Sequence, residues 1–231
     1  MLARPLALAL AAALAAIPAA LALAPLAGCK GAGNDAASPP AGERPSTRDD
    51  DLDTDDQTRF DRERQPEMII RALALRPGMV VADVGAGTGL LTAHLARAVS
   101  PGGHVVATDI ESSVIEYLTS RMIAGGYEHV VEARVVSANE PGLETGRFDA
   151  INLAQVDHYF DDRVDWLRKA APALKPGGKL AISNRQVHRN AAVAAAVTAG
   201  FRLVTEISDI PGQFVAVFEV APPPPPTKAS R

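Results

Sequence analysis

Val80-Val81-Ala82-Asp83-Val84-Gly85-Ala86-Gly87-Thr88-Gly89-Leu90 is the stretch whose reading decides the fold. The apolar run from Met79 to Val84 predicts a buried strand. Three glycines at alternate positions follow, and then Leu90, Leu91, His94, Leu95 and Val99 recur at helical spacing. Strand, glycine turn and helix in that order form the place where an α/β sheet holds a nucleotide. A turn without Cβ atoms lets the backbone approach a ligand, and the helix N-terminus offers free N–H groups. The spacing is G-x-G-x-G, with Asp83 two residues ahead of the first glycine. A dinucleotide fingerprint is spaced G-x-G-x-x-G.

Outward from this turn, His104 to Asp109 reads as the next strand, and Asp109 stands 20 residues after Gly89. A carboxylate there can accept both hydroxyls of a ribose. Phe148-Asp149-Ala150-Ile151-Asn152-Leu153 reads as a further strand, and Leu174-Lys175-Pro176-Gly177-Gly178-Lys179-Leu180 as a turn into another. Taken together, these segments resemble class I S-adenosylmethionine (SAM)-dependent methyltransferases, in family order over roughly residues 60–220. Asp83 to Gly89 resembles that family's motif I, residues 148–153 its fourth strand, and Leu174 to Leu180 its "LKPGG" turn into the fifth. The resemblance implies a Rossmann-like α/β fold with a mostly parallel seven-stranded sheet, helices on both faces and a C-terminal antiparallel hairpin. It also implies SAM as cofactor. Asp83, Gly85, Ala86, Gly87, Thr88 and Gly89 would hold the methionine end, Asp109 the ribose, and Ile110 would lie against adenine. The family often carries an acid for the adenine amino group after its third strand. Here Ser137-Ala138-Asn139-Glu140 stands there, so Asn139 or Ser137 is the expected substitute.

The remaining chain reads as follows. Arg59 to Leu75 predicts a leading helix. In the resembling family that helix covers the cofactor pocket, which would bring Arg62, Arg64 and Gln65 towards the ligand; a charged solvent face is the plainer alternative. Ser112 is the expected N-cap of a helix running to Gly125-Gly126, and His129 to Val136 a third strand. Asp161 or Asp162 caps a helix through Trp166. Asn190 to Ala199 is a helix closed by Gly200. Phe201 to Ser208 and Gln213 to Val220 form the closing hairpin.

Catalysis falls to the loop after the fourth strand, because ligands in open α/β sheets bind beyond the strand carboxyl ends. That loop is Ala154-Gln155-Val156-Asp157-His158-Tyr159-Phe160. His158 is the candidate general base, Asp157 its orienting or replacing acid, and Tyr159 a substrate-positioning group. The loop resembles the "YHH" segment of a methyltransferase subgroup. A hydrogen bond within the loop is the alternative role for His158. The pair supplies no third ligand for a metal, so none is expected.

The head of the chain differs in composition. Residues 1–28 are almost entirely Ala, Leu, Pro and Ile with Arg4 as the one charge, the pattern of a secretory signal. They end Leu26-Ala27-Gly28-Cys29, which resembles the lipobox of bacterial lipoproteins, and Cys29 is the sole cysteine. Lipidation there would tether the domain to a membrane of the cell envelope, outside the cytoplasm; an uncleaved membrane anchor is the alternative. Residues 29–58 read as a disordered acidic linker, because so Gly-, Ser-, Pro- and Asp-rich a stretch cannot bury enough apolar surface to fold. Asp51, Asp53 and Asp55 have calcium-loop spacing, but Asp56 stands where that loop requires glycine and Arg62 where it requires glutamate, so a solvated spacer is expected. The expected organisation is therefore signal 1–28, linker 29–58, methyltransferase-like domain 59–220 and proline-rich tail 221–231.

Composition narrows the function. A net charge of −4 and 4% aromatic residues give neither a phosphate-tracking surface nor stacking platforms, so nucleic acid is not an expected partner. The methyl acceptor and the oligomeric state are not written in any motif. SAM is made in the cytoplasm, whereas this leader would carry the domain away from it. A second class of function therefore stays open: a module that keeps the pocket to bind a nucleoside or other small ligand without catalysis. A dinucleotide-dependent oxidoreductase is a third, opposed by the glycine spacing and the LKPGG turn.

Overall fold

A computed structural model describes residues 48–222. The expected signal, the Cys29 lipidation site, most of the linker and most of the tail lie outside the described residues.

The elements in order are α1 (Arg48–Arg64), α2 (Pro66–Leu73), β1 (Val80–Val84), α3 (Leu90–Val99), β2 (His104–Asp109), α4 (Ser112–Ala124), β3 (Val131–Val135), β4 (Phe148–Ala154), α5 (Arg163–Ala170), β5 (Leu174–Arg185), α6 (Arg189–Thr198), β6 (Phe201–Ile207) and β7 (Gln213–Val220). They build one seven-stranded sheet in the order β3-β2-β1-β4-β5-β7-β6. The strands from β3 to β5 pair in parallel, while β7 runs antiparallel to both β5 and β6. The expected Rossmann-like class I sheet with its C-terminal hairpin is thus the observed one.

Strand alternation sorts the core into two layers. Val81, Val105, Ala150 and Val217 face Ile69, Leu73, Leu91 and Leu95 of α2 and α3. Ala82, Val106, Ile151 and Phe218 face Trp166 and Leu167 of α5 and Ala192 and Ala196 of α6. Central strands buried on both faces explain why β1, β2 and β4 read as nearly unbroken apolar runs. Strand order reverses at β1, which pairs with β2 on one side and β4 on the other. Such a reversal opens a crevice at the strand carboxyl ends.

Three expectations need correction. Residues 48–58 are helical, where a disordered linker was expected, because α1 docks through polar contacts that an apolar-stripe reading does not see. Gln57 Nε2 donates to the Leu90 carbonyl at 3.3 Å, and Asp61 Oδ1 lies 2.7 Å from His94 Nε2. The expected single helix from Arg59 to Leu75 is broken at Gln65 (φ 46°), because the following Pro66 disfavours a right-handed helical conformation there and itself opens α2. Ser112 is already helical; Glu111 is the N-cap residue of α4 and makes no side-chain cap bond. At α5 the cap is Asp162, whose Oδ1 accepts from the Val164 and Asp165 backbone N–H groups.

Candidate active site

The glycine turn is shaped by its neighbours. A Cβ on Gly85 (φ 67°) would lie 2.5 Å from Val156 Cγ2, so the loop after β4 packs directly on the turn after β1. Gly87 (φ 55°) has open space where a Cβ would be, and its N–H donates to Asp109 Oδ2 at 2.9 Å. The other oxygen of Asp109 accepts from the Ile110 and Glu111 N–H groups at 2.8 and 3.3 Å. One carboxylate at the end of β2 therefore braces both its own turn and the glycine turn.

Two cavities meet at this point, and both are bordered by Gly85 and Gln155. The first, about 400 Å³, runs past Asp109, Ile110, Val136, Ser137, Tyr159 and Trp166. Phe160 stacks on Trp166 at 4.3 Å to make its apolar wall. Thr108 also borders it, and the Thr108 hydroxyl is buried without a partner. The second, about 260 Å³, is bordered by Phe60, Arg64, Asp83, Gly87, Ile210 and Gln213. Asp83 is buried, accepting from Thr92 Oγ1 at 2.7 Å and from Asn152 Nδ2 at 2.9 Å. Burial outweighs those two bonds and pushes its carboxyl up from 3.8 to about 6.

The expected cofactor residues thus gather as a set with two exceptions. Asp83, Gly85, Ala86, Gly87 and Thr88 border the cavities, as do Asp109 and Ile110. Gly89 is the N-cap residue of α3 and borders neither cavity; a Cβ there would lie 2.9 Å from Leu118 Cγ. Asn139 donates from Nδ2 to Asp161 Oδ2 at 2.9 Å and lines a separate surface hollow. Ser137 and Ala138 border the first cavity in its place.

The loop after β4 is organised around a buried acid. Asp157 is 1% exposed. Its Oδ1 accepts from Asn184 Nδ2 at 2.7 Å, and Arg163 Nε reaches its Oδ2 at 3.0 Å and donates to its carbonyl at 2.8 Å. The Asn184 side-chain oxygen accepts from the Arg185 N–H, which fixes the amide with its nitrogen towards Asp157 and towards His158 Nδ1, 2.9 Å away. Nδ1 of His158 is therefore an acceptor, and the neutral ring presents an N–H at Nε2. Burial and the neighbouring His188, stacked at 4.4 Å, hold the His158 pKa below its ordinary value. Neither His158 nor Asp157 borders the two cavities, whereas the exposed Tyr159 borders the first.

Gln155 escaped the sequence reading. It adopts φ 59° at the carboxyl end of β4, donates its N–H to the Ser183 carbonyl at 2.8 Å, and stands where the cavities join. A left-handed non-glycine residue leaves no mark in a sequence. Asn184 did leave one: a polar Ser183-Asn184 pair ends an otherwise apolar strand.

Residues 82–180 match the family described as "Methyltransferase domain". Among curated proteins, the chain is 31% identical over 108 residues to the ubiquinone/menaquinone biosynthesis C-methyltransferase UbiE of Hahella chejuensis. It is 34% identical over 107 residues to the protein of the same name from Vibrio campbellii. The matched segments cover 47% and 46% of this chain and only 43% and 41% of those relatives. Among solved structures, a SAM-dependent methyltransferase from Aquifex aeolicus superposes with a TM-score of 0.64 at 22% identity, covering 68% of this chain and 89% of that one. A geranyl diphosphate methyltransferase in complex with SAM superposes at 0.60 and 13% identity, covering 77% and 93%. The fold is that of the class I methyltransferases, and these likenesses support SAM as the cofactor. The residues fit it: two joined cavities, a backbone-lined turn, a strand-end carboxylate and an orphaned hydroxyl in the wall of the larger cavity.

Two outcomes follow from this geometry. Because the folded protein holds the Asp83 proton more tightly than the unfolded chain, the Asp83 contribution to stability is full below pH 3.8 and falls as pH rises to about 6. A shift of that size corresponds to roughly 3 kcal/mol. Asp83→Asn should therefore lose less stability than the wild type between pH 4 and 7, measured as urea-unfolding free energies at each pH. Gln155→Gly should keep or gain stability, by up to about 1 kcal/mol, as left-handed strain is relieved. The same variant should bind S-adenosylhomocysteine more weakly, which calorimetry would measure.

Proposed function

We propose that this chain, whose residues 82–180 match a methyltransferase-domain family and whose sheet has the class I methyltransferase order, is a SAM-dependent methyltransferase. The observation that carries the reading is the pair of cavities joined at Gly85 and Gln155, between the turns after β1 and β4. Bound there, SAM supplies an electrophilic methyl group on a sulfonium. The protein's share is alignment: an acceptor held in line with the methyl group gains most of its rate from orientation.

Asp109 is assigned to the ribose hydroxyls. Its oxygens accept backbone N–H groups that hold the carboxylate in place, and the residue borders the first cavity. Ile110 and the Phe160–Trp166 stack provide the apolar surface for adenine. At the rim, Tyr159 is assigned to acceptor positioning. His158, which borders neither cavity and whose Nδ1 accepts from Asn184, is assigned as a donor from Nε2 to an acceptor oxygen; a role as base requires Asn184 to release Nδ1. Asp157 holds this loop through Asn184 and Arg163.

The curated relatives are named for C-methylation in quinone biosynthesis, but the matched segments leave more than half of each relative without a counterpart. The acceptor is therefore sought by screening rather than carried over. The lipobox-like Leu26-Ala27-Gly28-Cys29 supports a lipid-anchored protein of the cell envelope with its domain outside the cytoplasm.

Calorimetric titration with SAM, S-adenosylhomocysteine and NAD tests the reading. The two adenosyl ligands should bind at micromolar concentration and NAD should not. Asp109→Ala should weaken S-adenosylhomocysteine roughly tenfold or more, the loss of charge-assisted hydrogen bonds. No binding by a folded sample would return the weight to a non-catalytic module. On an acceptor found in envelope extracts, His158→Ala should lower kcat while S-adenosylhomocysteine affinity stays within about twofold, given the roughly hundredfold worth of a positioned proton donor or acceptor. Unchanged turnover would remove His158 from the mechanism.

A further inference from the structure

The outer lip of the cleft carries the opposite charge to its larger cavity. That cavity is bordered by Asp109, Glu111 and Glu140 and by no cation. Around the ends of β4 and β5 stand His158, Arg163, Arg185, His188 and Arg189. Two of the three arginines are paired. Arg163 holds Asp157 at 3.0 Å, and Arg189 grips both oxygens of Glu206 at 2.6 and 2.7 Å. Arg185 is exposed, and among the described residues its guanidinium has neither a hydrogen-bond partner nor a carboxylate partner.

Strand alternation places Arg185. Ser183 borders the second cavity, and Arg185 stands two residues further along β5, on the same face and beyond the lip. Its register partner on β7, Gln213, borders that cavity too. Arg163 and Arg185 both act electrostatically on the His158 ring. Asn184 fixes that ring through Nδ1, and the rings of His188 and Tyr159 flank it at 4.4 and 4.0 Å. Its Nε2–H has no partner among the described residues. Two exposed apolar groups flank these donors, Tyr159 after β4 and Val187 after β5.

A free guanidinium and an imidazole N–H beside an exposed aromatic ring are the complement of a planar apolar body with one negative charge. One guanidinium matches one carboxylate in charge and in forked geometry, whereas a phosphate dianion would leave a charge unmatched. The acids of the larger cavity repel such a group. An acceptor bearing it therefore lies with its charge at the lip and its reacting atom towards the junction at Gln155.

We propose, building on the methyltransferase reading, that Arg185 and His158 form an anion subsite for the acceptor, and that the acceptor is a small aromatic carboxylate whose ring rests on Tyr159. The test saturates the full-length chain with S-adenosylhomocysteine and follows the His158 and His188 ring signals by NMR as benzoate, benzamide or phenyl phosphate is added in low-salt buffer. Benzoate should shift both rings and bind at least about tenfold more tightly than benzamide, its uncharged isostere, as expected of a hydrogen bond to a charged group. Arg185→Gln should weaken benzoate roughly tenfold, and benzamide and S-adenosylhomocysteine by less than about twofold, the retained ligands showing that the variant is folded. Added salt should erode the advantage of benzoate. No benzoate binding, equal affinities for benzoate and benzamide, tighter binding of phenyl phosphate, or unchanged benzoate affinity in Arg185→Gln would each overturn the assignment and leave the methyltransferase reading standing. A folded wild type that binds no S-adenosylhomocysteine would overturn that reading and the acceptor role with it.

Discussion

The contact between Val156 and Gly85 is the constraint on which the site depends. It joins the turn after β1 to the turn after β4, on the two sides of the point where the strand order reverses and the crevice opens. With a Cβ on Gly85 only 2.5 Å from Val156 Cγ2, one turn would have to withdraw. The cavities would then part at the residues that border both of them. Asp109 acts on the other side of the same turn, holding the Gly87 N–H from the end of β2. The crevice is thus fixed by one close apolar approach and one carboxylate, each reaching across from a neighbouring strand.

Electrostatics complete what packing begins. Burying Asp83 disfavours its ionised form, and two side-chain hydrogen bonds from Thr92 and Asn152 do not restore the balance. An acid held near pH 6 on the floor of a cavity is stabilised in its charged form by any cation that arrives. Asp109, Glu111 and Glu140 extend the same sign along the larger cavity. A ligand with two positive centres and one carboxylate meets acids over most of the cleft and Arg64 at one rim.

The central sheet was legible because its signals are local and of one kind. Double-sided burial makes β1, β2 and β4 apolar runs, and each carries a polar residue near its carboxyl end: Asp83 in β1, Asp109 closing β2, Asn152 in β4. The misread parts depend on contacts distant in sequence. Asn139 stood at the right place after β3, yet Asp161, 22 residues on, holds its amide outside the cavity. Asn184 and Gln213 take their roles from partners distant in sequence, Asp157 in the loop after β4 and Arg64 in α1. Gln155 acts through a backbone angle that glutamine rarely adopts, which residue type cannot announce.

The leading helix shows why such contacts matter energetically. Its first part, residues 48–58, reads as linker because Arg48 to Arg64 offers almost no apolar stripe, with Phe60 the side chain that packs on the core. Its other fastenings are polar: Gln57 to Leu90, Asp61 to His94, and Arg64 and the Glu63 carbonyl to Gln213. Each such bond replaces one to water and is worth little net, so together they hold the helix less firmly than apolar burial holds α3. Yet the same helix supplies Phe60 and Arg64 to the second cavity. The wall that brings the one cation to the two cavities is therefore the wall least secured by the core. A ligand that engages Arg64 must favour the docked helix over the undocked one by the free energy of that contact, so helix docking and ligand affinity are linked quantities. The polar character that hid α1 from a hydrophobic reading is the property that makes its position responsive to what the cavity holds.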